Sequence, residues 1–189
     1  MIGNKLEQEI LGIYNRDITA VLSINQIAKK LNKAYPYINS KVNALIRQGV
    51  LKKVQVARSN LCSINLDSNK AIALLSLNEA IEREKLLSKT QFREFEHQIK
   101  DLSKNFKIDT IFFSKSKVCF ILDHIYDKEA IKNQLKQKKY DLIFYTKEFF
   151  QKELLENKSL LDKIVLYSPD KYFEIVNQIR NQLEFLKNE

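Results

Sequence analysis

"SINQIAKKLNKAYPYINSKVNALIRQG", Ser23 to Gly49, reads as two short helices joined by a tight turn. Ser23 offers a side-chain oxygen to an N-terminal N–H, and Gln26 three residues later completes a capping box. Ile24, Ile27, Ala28 and Leu31 recur at the helical period and form the stripe that this helix buries. Asn32 ends it, since a short polar side chain tolerates the left-handed backbone of a helix stop. The next helix opens around Pro36, whose fixed φ and missing N–H suit a first helical position. It buries Ile38, Val42, Leu45 and Ile46 and stops at Gly49. Tyr35 makes a poor N-cap, so the start of this helix is not built for its own stability. The side chains of Tyr35, Tyr37, Asn39, Ser40 and Lys41 are left to point away from the core.

The neighbouring residues complete a pattern. Upstream, Leu6, Ile10, Ile13 and Tyr14 share one face of an earlier helix. Downstream, "VLKKVQVARSNLCSINL", residues 50–66, holds two stretches that alternate apolar with polar: Val54 and Val56 against Lys53 and Gln55, then Cys62, Ile64 and Leu66 against Ser63 and Asn65. The polar "RSN" between them reads as a hairpin turn.

Charge is concentrated on the same segment. The 189-residue chain carries +9, of which +7 lies between Met1 and Leu66, where ten Lys and Arg face three Asp and Glu. A localised basic surface calls for a polyanionic partner. Helix, helix, short turn, helix and basic hairpin together resemble the winged helix-turn-helix of MarR- and ArsR-like regulators, with "IAKKLN" and "LIRQGVLKK" as the closest echoes. The resemblance covers about a third of the chain. It implies that the third helix enters the DNA major groove with its N-terminal half while the wing meets the backbone or minor groove. Tyr35, Tyr37, Asn39, Ser40 and Lys41 would then bond base edges and phosphates, and Arg47, Lys52, Lys53, Arg58 and Asn60 would supply backbone and wing contacts.

From Ser68 to Phe106 no proline or glycine interrupts the helix formers, and two helices are expected with a break near Ser88 to Thr90. Leu74, Leu77 and Ile81 form a stripe on the first, which is the candidate dimer contact; Phe92, Phe95, Ile99, Leu102 and Phe106 form one on the second. "KIDTIFFS" and "KVCFILD" then read as strands of a tight hairpin. "KEAIKNQLKQKK" reads as a helix, "YDLIFYT" as a strand, "KEFFQKELLE" as a helix and "KIVLYS" as a strand. Tyr172, Val176, Ile179, Leu183 and Leu186 mark a C-terminal helix after Pro169.

This order over residues 90–189 resembles the minimal nucleotidyltransferase fold, and "DKIVLYS" is similar to the segment that closes its small members. In active members a strand ending in Gly-Ser leads through a loop to a D-x-D pair that holds magnesium. Here Phe113 precedes Ser114, the loop is missing, and Ser116, Lys117 and Val118 stand where the carboxylates would begin. The resemblance thus implies a degenerate domain without its metal site.

Other chemistry leaves no trace. There is no glycine-rich phosphate loop, GxSxG or HExxH, and only three glycines in all. Cys62 and Cys119 are isolated in apolar runs, which predicts reduced core thiols, and His97 and His124 read as surface residues. No apolar run is long enough to cross a bilayer, and the N-terminus has no secretory pattern.

The expectation is an α+β protein: a winged helix over residues 1–67, a helical connector over 68–89 and a degenerate nucleotidyltransferase-like domain over 90–189. Its expected role is a cytoplasmic, dimeric, sequence-specific binder of double-stranded DNA that regulates transcription, with no catalytic residues, metal or cofactor. Two alternatives stand beside it, a winged-helix module that docks a protein partner and an atypical nucleotidyltransferase.

Overall fold

In the computed structural model, which describes residues 5–56, 59–88, 90–135 and 140–185, the capping box at Ser23 is formed. The Gln26 N–H donates to the Ser23 hydroxyl at 3.2 Å, and the Ser23 N–H donates to Gln26 Oε1 at 2.8 Å. It opens α2 (Ile24–Leu31), which follows α1 (Lys5–Arg16) and ends at Asn32 with φ 50° and ψ 49°. α3 (Tyr35–Arg47) follows after three residues. Its N-cap is Ala34, not Tyr35, and no side chain caps it; Tyr35 is already helical and Pro36 lies one position deeper than the sequence placed it. Proline is tolerated there because the first N–H groups of a helix have no intrahelical acceptor.

Gly49 terminates α3. The Gly49 N–H donates to the Ile46 carbonyl and the Val50 N–H to the Leu45 carbonyl, both at 2.9 Å, which is a Schellman stop with Gly49 at φ +71°. Asn65 secures the corner by donating its amide to the Gly49 carbonyl at 2.9 Å. The chain then turns into β1 (Leu51–Val56), paired antiparallel with β2 (Ser59–Ile64) from Leu51 opposite Ile64 to Val56 opposite Ser59. Asn60 is therefore a strand residue opposite Gln55 rather than part of a turn, because cross-strand pairing extends further than its polar composition implied.

Leu22, unmarked by any sequence pattern, forms a bridge antiparallel with Cys62 through bonds of 2.9 and 2.7 Å on the other edge of β2. The Tyr14 hydroxyl donates to the same Cys62 carbonyl at 3.0 Å, tying α1 to the hairpin. Burial raises the pKa of this phenol, which keeps it a donor. Three helices, a bridging residue and a two-stranded wing make a winged helix. Its core includes Ile10, Tyr14, Ile27, Ile38, Val42, Leu45 and Ile64, each fully buried and each worth about 1.5–3 kcal/mol.

Residues 69–87, expected as part of a connector, form the single helix α4 (Asn69–Leu87). The chain divides into two compact units inside it, after Asn78. In the first unit Ala71 and Leu75 are fully buried and the Asn78 amide donates to the Gln8 carbonyl at 3.2 Å. The stripe of Leu74, Leu77 and Ile81 is half-buried, and the buried side of α4 runs through Ala71, Leu75, Asn78 and Glu79. A polar residue joins a buried stripe when a partner waits for it, as Gln8 does for Asn78.

The second unit is a mixed four-stranded sheet in the order β5-β4-β3-β6. β3 (Ile108–Ser114) and β4 (Lys117–Leu122) form a hairpin, β5 (Asp141–Tyr145) runs parallel to β4, and β6 (Ile164–Tyr167) runs antiparallel to β3. The hairpin turns on Lys115 and Ser116, both at positive φ, as a two-residue connection of right-handed strands requires. Phe95, Ile99 and Leu102 of α5 (Thr90–Asn105) share a core with Ile111, Val118 and Phe120 on one sheet face. Ile131 of α6 (Lys128–Gln134) joins the same core. On the other face Phe112 meets Phe150 of α7 (Lys147–Glu156) and Tyr172 of α8 (Pro169–Gln178), each at 5.4 Å between ring centroids.

The expected C-terminal helix breaks at Ile179, whose N–H bonds three residues back to the Val176 carbonyl at 3.2 Å. α9 (Arg180–Phe185) resumes beyond that tight turn. Phe92's side chain, Lys136 to Lys139 and Leu186 lie outside the described residues.

β6 is an edge strand, and a bulge between Ile111 and Phe112 of its partner leaves Leu166 as the extra residue. Two residues of α4, one turn apart, satisfy the backbone there. Glu79 accepts the Val165 N–H at 2.7 Å, and Arg83 donates to the Leu166 carbonyl at 3.1 Å. Glu79 also pairs with the Lys163 ammonium, which lies 5.1 Å from the centroids of both the Tyr172 and Phe173 rings. Burial pulls the lysine pKa down and the Glu79 carboxylate opposes it. Removing one partner of such a buried pair costs about 3–5 kcal/mol.

Two stability experiments follow. Gly49→Ala meets no neighbouring atom within 4 Å, so only its left-handed backbone resists; the variant is expected to lose about 1 kcal/mol in urea titration, and an unchanged midpoint would contradict the positive φ. Burial also pushes the Cys119 thiol from 9.0 up to about 12. The unfolded thiol ionises first, so its contribution is intact below pH 9 and is lost as pH rises toward 12. Cys119→Ala is expected to flatten the alkaline limb of the stability profile.

Candidate nucleic-acid interface

α3 positions most of the candidate residues, and its packing decides which of them face outward. It lies against α1, α2 and β1 through Ile38, Val42 and Leu45, all fully buried. At about 100° per residue, the opposite side of the helix carries Pro36, Ser40, Asn43 and Arg47, stepping by four, three and four. Pro36, Ser40 and Arg47 are exposed and Asn43 half-exposed. Tyr35 and Tyr37 flank the start of this line at 48% and 54% exposure, unusually open for large aromatic side chains.

Asn39 is half-exposed, and its carbonyl oxygen accepts the Asn43 amide at 2.9 Å, so the two side chains form a pair one turn apart. Lys41 does not belong to the outward line. It lies roughly 100° round the helix from Ser40, half-buried, with its ammonium 3.4 Å from the Glu7 carboxylate of α1. On β1, Lys53 is exposed opposite Cys62 and Lys52 is half-exposed opposite Ser63; on β2, Asn60 is exposed. Arg58 lies outside the described residues. Asn43 and the small Ala44 beside it were not among the sequence candidates. The spacing that marks Pro36, Ser40 and Arg47 as one face also marks Asn43, and that signal could have found it.

The electrostatics are one-sided. Residues 18–66 contain eight Lys and Arg and no Asp or Glu. Of the three carboxylates that precede them, two neutralise cations of this segment, Glu7 with Lys41 and Glu9 with Lys33 at 3.2 Å, and Asp17 accepts from the Thr19 hydroxyl at 2.7 Å and its N–H at 3.1 Å. No acidic side chain lies in the first turn of α3, so its partial positive charge stands uncompensated there. Amides, hydroxyls and a guanidinium on one exposed helix face can bond base edges and phosphates together. Among the described residues no group of three or more His, Cys, Asp or Glu could hold a metal ion, and no helix is long and apolar enough to cross a membrane.

No protein-family model matches the chain, and no curated protein does. A MarR family protein from Bacillus stearothermophilus is similar to it in structure over 56% of this chain and 76% of its own, at 12% identity and a TM-score of 0.40. MepR, a transcription regulator of the Staphylococcus aureus multidrug efflux pump MepA, is similar over 51% of this chain and 73% of its own, at 21% identity and a TM-score of 0.36.

The different settings of Arg47 and Lys41 separate charge lost from the surface from charge lost from the fold. If this face binds duplex, Arg47→Ala is expected to weaken that binding several-fold and leave the melting temperature unchanged. Lys41→Ala is expected to cost up to about 1 kcal/mol of stability, through the Glu7 pair, with a smaller effect on binding. Equal binding losses in both variants, measured by anisotropy alongside thermal melts, would contradict this division.

Proposed function

We propose that the chain is a dimeric, sequence-specific binder of double-stranded DNA that regulates transcription. The observation that carries this reading is the acid-free segment 18–66 folded around an α3 that presents Ser40, Asn43 and Arg47 outward, with the nearby Glu7 and Glu9 paired to Lys41 and Lys33 off that line. α3 would lie in the major groove and the β1–β2 wing along the phosphates, as the winged-helix arrangement allows. Half-exposed Leu74 and Leu77 on α4 offer an apolar surface to a second copy, and a two-fold pair would read half-sites about 34 Å apart.

The second unit we read as a non-catalytic relative of the minimal nucleotidyltransferases, serving dimerisation or sensing. What supports this is the use made of Ser114. Its hydroxyl is buried and donates to the Asp162 carbonyl at 2.8 Å, and a two-residue turn follows it where an active member needs a loop toward its metal ligands.

One observation favours a second reading. Two open tyrosines at the head of α3 suit a protein interface, where such side chains are enriched, and the winged helix would then dock a protein partner.

Anisotropy of the full chain with pooled duplexes across a salt series distinguishes the two, with sedimentation giving the mass. Of the eight cations in residues 18–66, Lys33 and Lys41 are paired with carboxylates. The expected slope of log K against log salt is therefore no steeper than about −5 per chain, at roughly −0.9 per phosphate neutralised, with two chains per complex. Absence of duplex binding at low salt would overturn the DNA reading and leave the protein-docking one.

A further inference from the structure

We propose that Asn43 reads an adenine in the major groove, so that the preferred duplex carries a required A·T pair facing the middle of α3; this rests on the DNA-binding reading above. Each base pair shows a distinct pattern of donors and acceptors on its major-groove edge. Adenine shows an acceptor beside a donor, guanine two acceptors, cytosine a donor alone, and thymine an acceptor with a methyl group. A carboxamide matches adenine because it holds an acceptor oxygen beside a donor N–H.

Asn43 is the carboxamide at the centre of the outward line, one step from both Ser40 and Arg47 on that face. Its amide is already held by Asn39, whose oxygen accepts it at 2.9 Å. A carboxamide has one N–H alongside its oxygen and one pointing away. A bond to Asn39 made through the latter would leave the oxygen and the adjacent N–H as a donor–acceptor edge, restrained in orientation before any base arrives. That reduces the rotamer entropy lost on contact. Asn39 is thus a positioning residue, its oxygen engaged by its neighbour. Ala44 lies next to Asn43 and offers a methyl group of the kind that contacts the thymine methyl. Ser40, able to donate and accept, discriminates weakly, and Arg47 in the last turn suits guanine or phosphate.

The test is selection from a randomised duplex pool by the full chain, run in parallel for wild type, Asn43→Ala and Asn39→Ala, followed by titration of the selected site at fixed salt. Wild type is expected to enrich one adenine position. Asn43→Ala is expected to bind that site roughly 10- to 100-fold more weakly, to lose preference at that position alone, and to keep the salt slope of wild type. Asn39→Ala is expected to show an intermediate loss at the same position. Retained adenine preference in Asn43→Ala, folded by circular dichroism, would overturn the assignment while leaving DNA binding intact. Duplex binding by wild type without any enriched position would do the same. No duplex binding by wild type at low salt would remove the DNA-binding reading, and this inference with it.

Discussion

The burial of Ile38, Val42 and Leu45 sets the rotation of α3, and with it everything the first unit can present to a partner. Three side chains spaced four and three apart occupy one side of a helix, so the residues opposite them must face outward. The Schellman stop at Gly49 then ends α3 within one residue and sends the chain into β1. A longer α3 would carry the basic hairpin elsewhere. The Cys62 carbonyl, receiving both the Leu22 N–H and the Tyr14 hydroxyl, joins that hairpin to the rest of the unit without using any outward residue.

The charged residues divide by what surrounds them. Near α1, Glu7 and Glu9 draw Lys41 and Lys33 into ion pairs that are partly shielded from water. Arg47 and Lys53 are exposed, in a segment that contains no carboxylate. In the second unit Glu79 and Lys163 have given up water altogether, and their charge is compensated by each other, by the Val165 N–H and by two aromatic faces. Together with Arg83 they complete the outer edge of β6, where an unpaired strand would otherwise invite association with another chain. Charge on the first unit is thus divided between ion pairs near α1 and the exposed surface, and charge around β6 serves the fold.

Much of the fold was legible because its signals are local. The Ser23–Gln26 box, the left-handed Asn32, the Gly49 stop and the short apolar runs of β3 and β4 each involve residues a few positions apart. The rest depended on distant partners. The apolar Leu74, Leu77 and Ile81 marked one stripe of α4, but nothing local marked Asn78 and Glu79 for burial, which Gln8 and Val165 make tolerable by supplying their bonds. The break at Ile179 likewise falls within an apolar period that continues on both sides of it.

The sequence by itself determined where α2 starts, where α2 and α3 stop, which stripe of α3 is apolar, and that the positive charge belongs to the first third of the chain. These follow from spacing and from the conformational preferences of single residues. Only the tertiary structure decided which polar side chains remain available. It engaged Lys41 with Glu7, 34 residues away, held Asn43 against Asn39, and placed Glu79 on a backbone amide 86 residues further along. Periodicity tells which side of a helix is wet, but a hydrogen bond or ion pair between remote residues exists only once folding has brought both partners to one place.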